Sequence, residues 1–143
     1  MAMRCLSQTE EEEVVAAIRQ AEQNTSGEVR VHIEPHCKGD AFDRAREVFH
    51  ELGMDATELK NGVLIYLAFE DHRFVICGDR GINEVVEPDF WDCTRDIMQE
   101  HFRHGRFKQG LIDGILRAGE RLKQYFPREK DDRDELSNEI SRG

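Results

Sequence analysis

The stretch Asn61–Asp79, NGVLIYLAFEDHRFVICGD, constrains the fold more than any other part of the chain. Val63 to Phe69 is an almost unbroken apolar run, which suits a central strand covered on both faces of its sheet. Glu70-Asp71-His72 turns the chain. Arg73 to Cys77 then returns, with Phe74 and Ile76 on one face and Val75 and Cys77 on the other. A hairpin closes on itself, so Asn61-Gly62 and Gly78-Asp79 are expected side by side on one rim of a sheet.

The remaining segments supply partners for that hairpin. Ser7 to Asn24 reads as a helix, with Ser7 and Glu10 in capping-box spacing and Val14, Ile18 and Ala21 as the apolar stripe. Thr25-Ser26-Gly27 ends it. Glu28 to Glu34 alternates without fault: Val29, Val31 and Ile33 face one way, and Glu28, Arg30, His32 and Glu34 the other. One apolar face and one polar face read as an edge strand with cross-strand charge pairing. Gly39 to Leu52 is a second helix, with Phe42, Ala45, Phe49 and Leu52 as its buried stripe. Pro88-Asp89 opens a third helix, and Phe107 to about Tyr125 forms the last, where Gly110 and Gly114 permit a close neighbour. Arg128 to Gly143 is a charged tail whose sizeable apolar residues, Leu136 and Ile140, are its expected docking points.

Strand–helix–strand units cross over right-handed and make parallel pairs. The first two strands should therefore run parallel and the third antiparallel to the second, with helices on both faces: an α/β/α sandwich around a small mixed sheet flanked by about four helices. In that topology Thr25, Ser26, Gly27, Asn61, Gly62, Gly78, Asp79, Arg80 and Gly81 converge on one rim. Polar side chains beside glycine backbone suit a small-ligand or cation site, with Asp79 as the hard oxygen ligand and Asn61 and carbonyls completing the shell. Turn chemistry explains the same residues without any ligand. Both readings stay open at this point.

Charge narrows the partners. Lys plus Arg number 20 against 30 Asp plus Glu, a net charge of −10, which argues against a nucleic-acid backbone binder. No apolar run approaches the ~20 residues a bilayer span needs, so membrane insertion is not expected. Met1 to Ser7 lacks the pattern of a signal peptide, and a cytoplasmic location is the expectation. Cys5, Cys37, Cys77 and Cys93 contain no CxxC pair, and Cys77 reads as a core residue. His101 and His104, three apart at a helix end, are weak metal-ligand candidates.

TSGEVRVHIE (Thr25–Glu34), the A-x3-F-x2-LGM segment (Ala45–Met54), NGVLIYLA (Asn61–Ala68), GDRGI (Gly78–Ile82) and HFRHGRFKQGLIDGI (His101–Ile115) together resemble the TPM domain. The resemblance covers roughly residues 7 to 127 and is nearest to the short bacterial members. The family includes a thylakoid-lumen acid phosphatase involved in photosystem repair, an animal membrane-associated receptor modulator and many bacterial proteins. It implies a Rossmann-like α/β/α sandwich, a divalent-cation site (Ca²⁺ or Mg²⁺) near the sheet rim, and weak phosphatase activity in at least one branch. Two positions depart from the family pattern. Gly78-Asp79-Arg80-Gly81-Ile82 replaces a Gly-Tyr-Gly-Leu-Glu type segment, and Arg106 follows Gly105 where an acidic residue is common.

No GxSxG, P-loop or HExxH motif is present. Arg30 and His32, beside Glu28 and Glu34, could line a phosphate pocket or form ion pairs. Two functional readings follow. One is a rim site for a divalent cation or phosphate ligand, with Thr25, Ser26, Glu28, Arg30, Asn61, Asp79 and Arg80 as ligand-binding residues, Asp79 as the metal ligand, and weak metal-dependent acid phosphatase activity. The other is a non-enzymatic interaction module in assembly or quality control, offering the edge of its first strand to a protein partner.

Overall fold

The computed structural model describes residues 6–56, 60–127 and 140–142. Helix α1 spans Gln8–Glu22 and starts at the expected capping box: Ser7 Oγ accepts from the Glu10 amide at 3.1 Å, and Glu10 Oε1 accepts from the Ser7 amide at 2.9 Å. Strand β1 is Glu28–Glu34. Helix α2, Ala41–Glu51, is capped by Asp40, whose carboxylate accepts from the Asp43 amide at 3.0 Å. A 3-10 turn, Met54–Ala56, follows. Strands β2 (Gly62–Ala68) and β3 (Arg73–Gly78) form the hairpin. Then come a one-turn helix α3 (Arg80–Asn83), α4 (Asp92–Arg103), α5 (Phe107–Lys123) and a two-residue strand β4 (Ser141–Arg142).

The sheet order is β3-β2-β1-β4. β1 and β2 run parallel from Glu28↔Gly62 to Glu34↔Ala68, and β2 and β3 run antiparallel from Val63↔Gly78 to Ala68↔Arg73. Crossover handedness and the hairpin turn dictate this mixed arrangement. β2 is buried along its whole length, as its apolar run requires. On one face Val29, Val31, Ile65 and Ile76 pack against α1, α4 and α5; on the other Leu64, Tyr66 and Cys77 pack under Ala45, Val48 and Phe49 of α2. This is the α/β/α sandwich expected from sequence. α1, α2, α4 and α5 are the four flanking helices, and α3 is added to them.

Small residues set the helix spacing on the first face. A Cβ built on Gly110 would lie 2.5 Å from the Phe102 ring, and one on Gly114 2.7 Å from Met98 Cγ, so α4 and α5 meet closely where the sequence placed its glycine pair. Gly119 does the same for α1, with Ala21 Cβ at 2.8 Å and Ala21 Cα at 3.0 Å.

Three expectations change. β1 is not an edge strand: β4 pairs with it in parallel at His32↔Ser141 and Ile33↔Arg142. A partner strand at that position would have to displace β4. The polar face that suggested an edge lies beneath α2, where His32 and Glu34 are hydrogen-bonded. Phe42 does not belong to the buried stripe of α2 and stands 50% exposed, because it overhangs β3, an edge strand beyond which no further strand lies among the described residues. The segment after Gly78 is helical rather than a simple turn, since Asp79 caps α3. Ile140 packs on the core as expected. Leu136, the rest of the tail from 128 to 139, and Cys5 lie outside the described residues. No helix among the described residues is long and apolar enough to cross a membrane.

Candidate functional site

A cavity of about 520 Å³ opens where the end of β3 meets α2. Side-chain alternation on β3 sends Ile76 into the core of the α1/α5 face and Cys77 toward α2. Asp79 continues the Cys77 side. Its amide donates to the Gly62 carbonyl at 2.9 Å, which fixes its backbone to the sheet. One carboxylate oxygen, Oδ1, accepts from the Arg80 amide at 2.6 Å and caps α3. The other, Oδ2, is buried and has no hydrogen-bond partner among the described residues, in a side chain only 8% exposed. It belongs to a residue that lines the cavity.

The opposite wall comes from α2. Phe42, Arg46, Phe49 and His50 share one flank of that helix, spaced four, three and one apart. Arg46 and, across the cavity, Arg80 make no ion pair or hydrogen bond through their guanidinium groups among the described residues. His50 is held at 2.7 Å from Asp55. That hydrogen bond raises the imidazole above its ordinary value and lowers the carboxyl of Asp55. The Cys77 thiol on the floor is pushed up by burial, which outweighs the opposing pull of Arg46, with a lesser push from Asp79. It stays a neutral thiol rather than a nucleophile. The cavity thus offers one unsatisfied carboxylate oxygen, two uncommitted guanidiniums and an aromatic mouth.

The predicted rim divides. Asp79 and Arg80 line this cavity. Thr25, Ser26 and Asn61 do not; they form a separate hydrogen-bonded junction with the exit of α5. Thr25 Oγ1 and the Ser26 amide both donate to the Phe126 carbonyl, the latter at 2.9 Å. Thr25 Oγ1 also accepts from the Gly27 amide at 3.0 Å, and Asn61 Nδ2 reaches Ser26 Oγ at 3.4 Å. A Cβ on Gly27 would press on Leu122 at 3.0 Å, so this corner is packed. Glu28 is buried and Arg30 half-buried on the α2 side of β1. His101 and His104 do not converge: His101 pairs with Asp113 at 2.7 Å, and His104 with the Glu100 carbonyl at 2.9 Å.

A second polar group lies under α2, where His32 and Glu34 form the ion-pair alternative and Arg44 is the partner that sequence reasoning missed. Glu34, 7% exposed, accepts from Arg44 Nε at 3.0 Å and Nη2 at 2.9 Å, from the Tyr66 hydroxyl, and from His32 Nε2 at 3.0 Å. His32 Nδ1 lies 3.1 Å from Ser141 Oγ on β4, and its ring stacks parallel to Tyr66. Burial alone would raise the Glu34 carboxyl, but Arg44, Tyr66 and His32 together bring it to about 2. Burial lowers His32 despite Glu34, and raises Tyr66. Every charge in this cluster is answered, which marks it as a structural joint between β1, β2, α2 and β4. The signal available in the sequence was the polar face of β1 itself, read as that of an edge strand with cross-strand charge pairing.

The fold and cavity define a small α/β/α domain with a ligand-sized recess at the edge of its sheet. The TPM domain matches residues 3–121. The chain belongs to the TPM domain family. It is 58% identical to the BA42 protein from the psychrophilic bacterium Bizionia argentinensis, covering 100% of this chain and 99% of that one with a TM-score of 0.94. The N-terminal domain of a protein from P. gingivalis is similar at 24% identity and TM-score 0.69, over 85% of this chain and 79% of that one. The N-terminal domain of the cg2496 protein from Corynebacterium glutamicum shares the fold at 11% identity and TM-score 0.65, over 90% and 80%. No curated protein matches the chain.

Proposed function

We propose that this TPM domain binds a phosphate ligand with the help of a divalent cation, Mg²⁺ or Ca²⁺, in the cavity between β3 and α2, and hydrolyses phosphomonoesters weakly. The observation that carries the reading is the buried, unpartnered Oδ2 of Asp79. A carboxylate oxygen out of water without a partner costs about 1–3 kcal/mol or more, and a hard cation is the ligand that relieves it. The fit is to a loosely held ion. Among the described residues no three His, Cys, Asp or Glu side chains gather to form a full metal cage, so Asp79 would share the ion with water and phosphate oxygens, as Mg²⁺ commonly does.

Such a cation supplies charge neutralisation to the phosphoryl group. Arg46 and Arg80 supply the rest, as planar donors suited to phosphate oxygens. In hydrolysis a water oxygen would bond to phosphorus, the ester P–O bond would break with His50 protonating the departing oxygen, and the proton lost by the water would restore His50. Protonated His50, held by Asp55 at the same cavity, is the acid present to supply a proton in mildly acidic solution.

Titration of the full chain with Mg²⁺ and with Ca²⁺, followed by amide chemical shifts, tests the cation. Shifts should centre on Gly78–Asn83 and vanish in Asp79→Asn, which keeps the Oδ1 cap. Steady-state hydrolysis of an aryl phosphate should need the cation and fall at least tenfold in the same variant. Equal rates in wild type and Asp79→Asn, or none above buffer, sink the catalytic reading. Unchanged cation shifts in Asp79→Asn sink the metal assignment.

A further inference from the structure

The cavity has more apolar surface and more volume than a bare oxyanion uses. Its volume of about 520 Å³ lies within the roughly 300–1,000 Å³ of sites for small organic molecules. Phe42 stands at its wall half exposed, although large apolar side chains on α2 are otherwise covered. Phe49 and Cys77 make an apolar floor beneath it. Phe42 lies one helical turn before Arg46, so ring and guanidinium share one flank of α2. Arg46 and Arg80 line the cavity with no carboxylate partner among the described residues, which places two cationic donors at one recess of a chain of net charge −10. Together they match a ligand with a dianionic head and a flat apolar body.

We propose that the cavity selects aromatic phosphate monoesters, with Arg46 and Arg80 holding the phosphoryl group and Phe42 stacking on the ring. This deepens the preceding proposal and rests on it: phosphate must bind in this cavity for Phe42 to matter. Phe42 is a specificity residue here. It touches the ring of the ligand and leaves the phosphoryl group to the arginines. An offset aromatic stack is worth roughly a three- to tenfold preference.

The test is a set of titrations of the full chain in Mg²⁺, followed by amide chemical shifts, with phenyl phosphate, ethyl phosphate and inorganic phosphate. Wild type should bind phenyl phosphate about fivefold more tightly than ethyl phosphate. Phe42→Ala and Phe42→Leu should bring that ratio close to one while leaving inorganic phosphate unchanged. Phe42 is half exposed, so neither variant removes core packing, and the leucine separates stacking from plain apolar contact. Arg46→Met should weaken all three ligands alike. Equal affinity for phenyl and ethyl phosphate in wild type, or a ratio that survives in both Phe42 variants, overturns the aromatic assignment while inorganic phosphate still binds. Absence of shifts with all three ligands overturns the phosphate reading itself, and this inference with it.

Discussion

Replacing Glu34 by Gln keeps the shape of the side chain and removes the charge on which Arg44, Tyr66 and His32 converge. Two routes give the magnitude. The carboxyl is held at about 2 against an ordinary 4.5, and at 1.36 kcal/mol per unit that difference is worth about 3 kcal/mol at neutral pH. Breaking a buried ion pair by removing one partner costs roughly 3–5 kcal/mol. Arg44 is 24% exposed and keeps Glu47 at 2.6 Å, so solvent and that second carboxylate pull the cost to the lower end. Both routes meet near 3 kcal/mol.

The pH dependence separates this charge from ordinary packing. A carboxyl whose folded value lies below its unfolded value stabilises above the unfolded value and loses that contribution as pH falls through the folded one. The Glu34 contribution is therefore complete above about pH 4.5 and lost as the pH falls through about 2. His32 acts in a different window. Its folded value is lowered, so the unfolded chain takes up a proton first and stability falls as pH drops below 6.5. That loss persists in Glu34→Gln, because the imidazole then has one fewer partner raising it. Urea unfolding followed by far-ultraviolet circular dichroism, at pH 7, 5.5, 4 and 3, should give a wild-type-minus-variant difference of about 3 kcal/mol at pH 7. The difference should hold to pH 5.5 and shrink steadily below pH 4.5. A difference that is the same at pH 7 and pH 3 refutes the argument and reduces Glu34 to a packing residue.

Further outcomes follow from the packing. Gly119→Ala should lower stability by about 1–2 kcal/mol, since its Cβ meets the backbone of Ala21 at 3.0 Å and overpacking outweighs the ~1 kcal/mol gain in helix propensity. Gly114→Ala should cost less, because the obstructing Met98 is an unbranched side chain that can turn aside; thermal denaturation of both variants ranks them. Ser7→Ala breaks the capping box of α1 and should cost about 1 kcal/mol by the same melts. Thr25→Val removes the hydroxyl shared by the Phe126 carbonyl and the Gly27 amide. It should cost about 1–2 kcal/mol and speed hydrogen exchange at Gly27 first.

Much of the architecture was legible because it follows from periodicity and turn chemistry. The apolar run Val63–Phe69 dictated a buried central strand, the alternation of Arg73–Cys77 assigned its faces, and the glycine spacing 110 and 114 marked a close helix contact. What escaped was pairing across distance. Alternation in Glu28–Glu34 shows that one face is polar, but whether that face meets water or a helix depends on where Arg44 lies, and Arg44 sits ten residues away on another element. β4 escaped for the same reason: two residues near the end of the chain carry no periodic signal, and only their register beside His32 and Ile33 defines them. The rim was legible as a place and not as a unit. Topology brings Asn61-Gly62 beside Gly78-Asp79, yet Thr25 and Asn61 turn to the α5 exit while Asp79 turns to α2.

The position of α2 explains why one acidic residue is satisfied and the other is not. Arg44 and Arg46 are two residues apart, about 200° around the helix, so they leave α2 on opposite flanks. Ala45, Val48 and Phe49 between them rest on the sheet. The Arg44 flank lies over β1, an interior strand, and meets Glu34 in a space closed by Tyr66 and β4. The Arg46 flank lies over β3, an edge strand, where among the described residues no further strand pairs and the gap stays open. Asp79 and Arg46 line the same cavity yet make no ion pair, so each keeps hydrogen-bonding capacity for something else. If Asp79 Oδ2 and Arg46 served only stability, a direct pair between them would remove the cost of the orphan oxygen. A gap of ligand size stands there instead, bounded by charges of both signs. That arrangement suits a cation and an anion bound together better than either alone, which is why the cation and phosphate tests belong in one experiment: Mg²⁺ should tighten phosphate binding, and phosphate should tighten Mg²⁺ by the same factor.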